Sequence, residues 1–215
     1  MLKPEPLHNT ILPLWNSVAV NRASMLGQKS QYMLRQWLGV AMNYDGDLVE
    51  FGCCYGGVGQ IMVERARGTN KKVYLLDTFE GLPEPDRSKD NYWSKGVFAV
   101  PVEQVKANVP EAVILKGMFQ DTYKGLPEKI AFAHIDCDLY QSVKFATEVA
   151  YERLTPGGVL LYDDYAWADC RGAKLAVDEF FENKPEKPVH LLTSQAVIVK
   201  MPCSISGEMP RLSSG

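Results

Sequence analysis

Three aspartates stand at the ends of two apolar runs. One run is Ala131-Phe132-Ala133-His134-Ile135-Asp136-Cys137-Asp138, and the other is Gly158-Val159-Leu160-Leu161-Tyr162-Asp163-Asp164. Each run reads as a buried β-strand, with Asp136, Asp163 and Asp164 where the chain would leave the sheet. Carboxylates that converge at the carboxyl edge of a parallel sheet must be neutralised, and a hard divalent cation with oxygen ligands is the usual partner. Upstream, Val49-Glu50-Phe51-Gly52-Cys53-Cys54-Tyr55-Gly56-Gly57 forms a glycine-rich turn between a strand and a helix. Such a turn either lets backbone approach a nucleotide-type cofactor or is merely structural. Two acids favour the cofactor. Glu50 lies at the end of the first strand, where a purely structural strand prefers an apolar residue. Asp77 ends the next strand, and reads either as an acceptor for a ribose diol or as a helix N-cap. The turn lacks G-x-G-x-x-G, and Cys53-Cys54-Tyr55 leaves little room for a pyrophosphate. A nucleoside with a small amino-acid tail fits better than NAD. Together these features suggest a metal-assisted group transferase.

The elements that must position these residues alternate strand and helix, the pattern of βαβ units and a parallel sheet. Residues 47–51 read as the first strand, about 57–66 as a helix and 72–76 as the second strand. A long connection rich in proline and charge follows, of the kind that often binds ligands. A helix over about 102–108, a strand over 113–115 and strands over 130–136 and 157–162 complete the core pattern. A helix from Ser142 to Leu154 stops at Thr155-Pro156-Gly157-Gly158, and Ala173 to Glu182 is another. Val189 to Leu192 and Ala196 to Val199 read as an antiparallel hairpin at the sheet edge. Apolar residues between 10 and 43 recur at helical spacing, so helices before the first strand would cover the sheet or close over a ligand. The expected division is a helical segment or lid over 1–45, a Rossmann-like domain over 46–202 and a frayed tail over 203–215.

Composition narrows the setting. A chain of 215 residues suits one α/β domain. A net charge of −3 and a pI near 5.7, with no basic cluster, give no support to nucleic-acid binding. No apolar stretch approaches the length that spans a bilayer, and the polar, proline-bearing start lacks a signal peptide's core. Five cysteines, an odd number without zinc-ligand spacing, read as small buried hydrophobes in a reduced, cytoplasmic protein.

In order along the chain stand Glu50-Phe51-Gly52 with Gly56-Gly57, Asp77-Thr78-Phe79-Glu80-Gly81-Leu82-Pro83, Gly117-Met118-Phe119-Gln120-Asp121-Thr122, His134-Ile135-Asp136-Cys137-Asp138-Leu139-Tyr140 and Asp163-Asp164-Tyr165. Cys170-Arg171-Gly172-Ala173 and Ala176-Val177-Asp178-Glu179-Phe180 follow. From about Gly46 to Lys200 the chain resembles the macrocin O-methyltransferase family, the metal-dependent sugar methyltransferases of natural-product biosynthesis. The resemblance implies an α/β, Rossmann-like class I methyltransferase fold: a mostly parallel seven-stranded sheet, an antiparallel edge hairpin and short N-terminal helices. It implies S-adenosylmethionine as cofactor, Mg²⁺ or another divalent cation as metal, and a small-molecule hydroxyl acceptor. By motif, Glu50 and Gly52 would line the methionine end, with Tyr55 and Gly56 in the same turn. Asp77 would hold the ribose, flanked by Thr78 and Phe79. Gly117, Met118, Phe119 and Gln120 would bound the adenine. Asp136, Asp163 and Asp164 would hold the metal, with Asp136 also touching the cofactor. The family also tends to form dimers or larger assemblies, which Trp15 and Trp37 would serve. Entry into the first strand by residue 47 makes the covering segment short, which leaves the acceptor open.

The chemistry would be in-line displacement at a sulfonium methyl by a hydroxyl acidified by the cation, with Asp136 as general base. Asp138 reads as a cap on the following helix in preference to a metal ligand, and His134 as a core histidine. His8 reads as solvent-exposed in preference to a substrate contact. Tyr140, Tyr165 and Trp167 are either aromatic walls or core packing. Arg171 either binds an acidic acceptor group or pairs with a neighbouring acid. Gln195, in the hairpin turn, is assigned no role. The competing readings are a catechol- or phenol-type O-methyltransferase and a non-catalytic adenosylmethionine-binding module.

Overall fold

The computed structural model describes residues 24–202. Helix α1 (Gln28–Ala41) leads into strand β1 (Asp47–Phe51), helix α2 (Gly57–Ala66) and strand β2 (Val73–Asp77). After a long loop come α3 (Val102–Asn108), β3 (Val113–Lys116), the short helix α4 (Phe119–Thr122) and a 3-10 turn at Tyr123–Gly125. Then follow β4 (Ile130–Ile135), α5 (Tyr140–Arg153), β5 (Leu154–Tyr162), α6 (Arg171–Phe181), β6 (Val189–His190) and β7 (Ala196–Val199). The seven strands form one sheet in the order β3-β2-β1-β4-β5-β7-β6. The first five are parallel to one another, and β7 runs antiparallel to both β5 and β6. This is the expected class I methyltransferase architecture, including the edge hairpin.

Strand alternation splits the core into two layers. Leu48, Leu75, Phe132, Leu161 and Val197 face one side, under α1, α2 and α3. Val49, Phe51, Leu76, Ala133, Leu160 and Ile198 face the other, under α5 and α6. Helix α1 buries Gln31, Leu34, Leu38 and Ala41, a single helical stripe that docks on the sheet. Trp37 is half-buried against that layer. Trp15 and His8 lie outside the described residues.

The helix ends just before the Thr155-Pro156-Gly157-Gly158 stop, as expected, but β5 begins at once at Leu154, so the stop lies inside that strand. Helix α5 ends at Arg153, and the strand register jumps from Ile130↔Leu154 to Phe132↔Val159, so the Pro/Gly segment bulges without breaking the pairing. The site is positioned by the order reversal at β1 and β4. Strands β2 and β3 lie to one side of this pair and β5 to the other, so the two carboxyl ends frame a crevice. There Gly52 has φ +80°, and a Cβ on it would lie 1.9 Å from the Asp136 carbonyl oxygen. The turn after β1 therefore touches the backbone after β4, which only glycine permits.

Candidate active site

Over the carboxyl ends of β1, β2, β4 and β5 opens a cavity of about 760 Å³, within the usual range for small-molecule sites. Glu50, Gly52, Tyr55, Asp77 and Thr78 line it, as do Met118, Phe119, Gln120 and all three metal-type aspartates. Three of the sequence-named positions lie off the wall. Gly56 is the left-handed residue before α2, close against Val109 and Val105. Phe79 is buried in the core layer under α3, and Gly117 turns the chain out of β3 at φ +142°. These three shape the backbone around the cavity.

Asp77 is not a helix cap, because the chain after it is a loop and the next helix begins only at Val102. Its Oδ2 accepts from the Cys53 and Cys54 N–H groups at 2.9 and 3.1 Å, and its Oδ1 from Phe79 N–H at 2.8 Å. The carboxylate thus ties the glycine turn to the tip of β2 while facing the cavity. Beside it, Glu50 is buried. One of its oxygens lies 3.2 Å from His134 Nδ1, and the other has no hydrogen-bond partner among the described residues. Burial pushes its carboxyl up, against the opposing pull of His134. An unpartnered buried carboxylate oxygen on the wall suits a ligand ammonium group.

The aspartates converge as their spacing suggested. Carboxylate oxygens of Asp136, Asp163 and Asp164 lie within 4.8 Å of one another. Burial, then the charges of Asp163 and Asp164, holds the Asp136 carboxyl well above the usual range. Burial, then Asp138 and Asp163, does the same to Asp164. All three are oxygen donors held together against their repulsion, and that donor set fits a hard dication.

Two residues contribute more than the sequence reading gave them. His134 is fully buried between Glu50 and Asp163, with Nε2 3.9 Å from Asp163 Oδ1. Burial alone would lower the imidazole, but Asp163 and Glu50 outweigh it and raise it to about 10. His134 is thus the buried core histidine expected, and it is paired there with Glu50 and faces Asp163. Gln195, assigned no role, is fully buried and donates from Nε2 to Asp163 Oδ1 at 2.8 Å. Its own carbonyl accepts from the Thr193 hydroxyl at 3.1 Å. The register explains the meeting: Tyr162 pairs with Ala196 in antiparallel β5–β7, so the next residue on one strand faces the preceding residue on the other.

Asp138 does not cap α5. That helix begins at Tyr140, whose N–H is taken by Asp90 from the β2–α3 loop. Asp138 sits at φ 58° with its carboxylate on the cavity wall, 3.6 Å from the Cys170 thiol. Burial raises it to about 6, against the lowering effect of the Cys170 thiol. Of the three aromatics, only Trp167 reaches the cavity. Tyr140 is buried and donates to Glu179, and Tyr165 donates to Asp178. Arg171 is exposed at the start of α6, off the wall. The four described cysteines are free, and Cys53, Cys137 and Cys170 are buried.

Residues 15–200, which include the crevice, the acid at the tip of β2 and the carboxylate trio, match the family of macrocin-O-methyltransferase (TylF). The chain belongs to the macrocin-O-methyltransferase family. It is an S-adenosylmethionine-dependent O-methyltransferase. A relative from Streptomyces olivaceus, 8-demethyl-8-(2,3-dimethoxy-alpha-L-rhamnosyl)-tetracenomycin-C 4'-O-methyltransferase, is 39% identical, with 74% of this chain and 67% of the relative covered. Demethyldecarbamoylnovobiocin O-methyltransferase from Streptomyces niveus is 32% identical, covering 74% of this chain and 68% of the relative. Among solved structures, the O-methyltransferase NovP superposes with a TM-score of 0.75 at 25% identity, covering 85% of this chain and 84% of that one. Within the described residues of this macrocin-O-methyltransferase family member, no helix is long and apolar enough to cross a membrane.

Proposed function

We propose that the enzyme methylates a sugar hydroxyl of a glycosylated natural product, with Asp136, Asp163 and Asp164 holding a divalent cation, Mg²⁺, beside the methyl donor. The observation that carries this reading is the convergence of three carboxylates on the cavity that the glycine turn and Asp77 also line. The relatives named above for a rhamnosyl-tetracenomycin and for demethyldecarbamoylnovobiocin support the substrate class.

When bound, S-adenosylmethionine supplies an electrophilic methyl group and the cation acidifies the acceptor hydroxyl. The chain's own residues do the rest. Glu50 would receive the methionine ammonium on its unpartnered oxygen, Asp77 would accept from the ribose diol, and Met118 to Gln120 would bound the adenine. Asp136 would take the hydroxyl proton as transfer proceeds. A second reading gives that proton to Asp138, favoured by its place on the wall instead of at a helix cap. The buried free cysteines support a reducing, cytoplasmic setting.

The test is methyl transfer from labelled cofactor to 4-nitrophenyl α-L-rhamnoside, other deoxysugar glycosides and catechols, with Mg²⁺ or with chelator. Transfer to a glycoside that stops in chelator is expected. Transfer to catechols alone, or undiminished transfer in chelator, would overturn the reading.

A further inference from the structure

The β2–α3 loop, residues 78–101, contributes Trp93 and Phe98 to the cavity wall, yet it is joined to the sheet only at its ends. The two rings pack edge to face at 4.9 Å. Their side of the cavity is that of the acids after β4 and β5. Trp93 Nε1 donates to Cys170 Sγ at 3.2 Å, and the same sulfur lies 3.6 Å from Asp138. Aromatic faces beside the proposed hydroxyl site suit a sugar ring. Within the loop, Leu82 N–H donates to Val97 O and Gly96 N–H to Leu82 O, so the two arms hold each other.

Asp90 makes the buried carboxylate tie to the domain, beside the Trp93–Cys170 contact and Lys89, whose ammonium lies 3.3 Å from the centre of the Tyr140 ring. Asp90 is only 4% exposed although it belongs to a surface loop. Both of its carboxylate oxygens lie 3.1 Å from the N–H of Tyr140, the first residue of α5. The first turn of α6 meets it too, since a Cβ on Gly172 would lie 1.9 Å from Asp90 Oδ1. Two helix N-termini, of 14 and 11 residues, therefore close on one carboxylate supplied by the loop. Asp90 does not itself line the cavity. The segments it joins are the ones that do: the loop carrying Trp93 and Phe98, the turn carrying Asp138, and the chain entering α6, which carries Trp167.

We propose that Asp90 is a positioning residue for the acceptor: its carboxylate, held between the N-termini of α5 and α6, pins the β2–α3 loop so that Trp93 and Phe98 form the acceptor-side wall. Gly172 is the second half of the device, because any side chain there would expel the carboxylate. The S-adenosylmethionine end, built on β1, β2 and α4, does not depend on this pin. The acceptor half of the proposal rests on the sugar-methylation reading above; the pin itself does not.

Two measurements on the full chain test it. Hydrogen exchange followed by mass spectrometry should show the Leu82, Gly96 and Tyr140 amides of Asp90→Ala exchanging at least tenfold faster than wild type, with β1 and β4 unchanged. Asp90→Asn, whose amide oxygen still accepts from Tyr140 N–H, should restore protection. In kinetics, Asp90→Ala should raise KM for 4-nitrophenyl α-L-rhamnoside about tenfold, while S-adenosylhomocysteine affinity by calorimetry stays within about twofold. Gly172→Ala should reproduce that KM, and the double variant should be no worse than either single variant. Unchanged exchange in Asp90→Ala would overturn the pin. Faster exchange with an unaltered acceptor KM, or equal losses of acceptor and S-adenosylhomocysteine affinity, would overturn its role at the acceptor wall. Should wild type leave the rhamnoside untouched, the sugar reading fails, and exchange alone still decides the pin.

Discussion

Replacing Asp164 by asparagine should stabilise the metal-free enzyme. The trio's oxygens lie within 4.8 Å of one another. At an effective dielectric constant of about 20, two unit charges at that distance repel by about 3.5 kcal/mol. Asparagine removes two of the three pairwise repulsions, and its oxygen can still accept the Asp138 N–H that Asp164 Oδ2 accepts at 3.1 Å. Proton uptake and water at these half-buried groups already relieve much of the repulsion in the wild type, so about 2 kcal/mol of net gain is expected. For a protein of this size that corresponds to a Tm about 4–8 °C higher in EDTA at pH 8. Magnesium should reverse the order. At one hundred times its Kd, a ligand specific for the folded state adds about 2.7 kcal/mol, which the wild type should gain and Asp164→Asn should lack. Differential scanning fluorimetry with EDTA and with Mg²⁺ reads both numbers. A destabilised Asp164→Asn in EDTA, or equal Mg²⁺ shifts in the two proteins, would refute a trio held apart by repulsion and joined by a cation.

Further substitutions probe other parts of the site. Gly52→Ala should cost about 3 kcal/mol or more and sharply weaken S-adenosylhomocysteine binding, because its methyl would overlap the Asp136 carbonyl; near-normal binding by calorimetry would contradict that contact. Gln195→Ala should weaken Mg²⁺ about tenfold or more by freeing Asp163, with S-adenosylhomocysteine affinity unaltered; metal titration compares the two. In chelator, stability should fall as pH rises from 5 to 9. Asp138 is raised from 3.8 to about 6, so the folded state binds more protons than the unfolded one between those values, and the stability it contributes at low pH is lost as pH rises through about 6. His134, raised from 6.5 to about 10, contributes stability fully present below 6.5 and lost as pH approaches 10, which has the same sign. A chelated Tm that climbs steadily from pH 5 to 9 would contradict both shifts.

What could be read from the chain follows from where the determining contacts lie. Strands β1, β2, β4 and β5 are short apolar runs with acids at their tips, so their existence and the convergence of Asp136, Asp163 and Asp164 were legible from local pattern. The edge hairpin was legible from the polar break between two apolar runs. Contacts between segments distant in sequence were not. Asp138 seemed a helix cap because a cap is normally supplied locally, whereas Asp90 reaches α5 from 50 residues away. Gln195 meets Asp163 only through the β5–β7 register, and His134 meets Glu50 only because β1 and β4 are neighbours in that register. The short helix α4 escaped notice because four residues carry too little periodicity.

The most direct measurement is anomalous diffraction from crystals grown with Mn²⁺ and S-adenosylhomocysteine. One strong peak among the Asp136, Asp163 and Asp164 oxygens, beside the cofactor sulfur, is expected. Carboxylates turned away from one another with no peak between them would contradict the reading at its root.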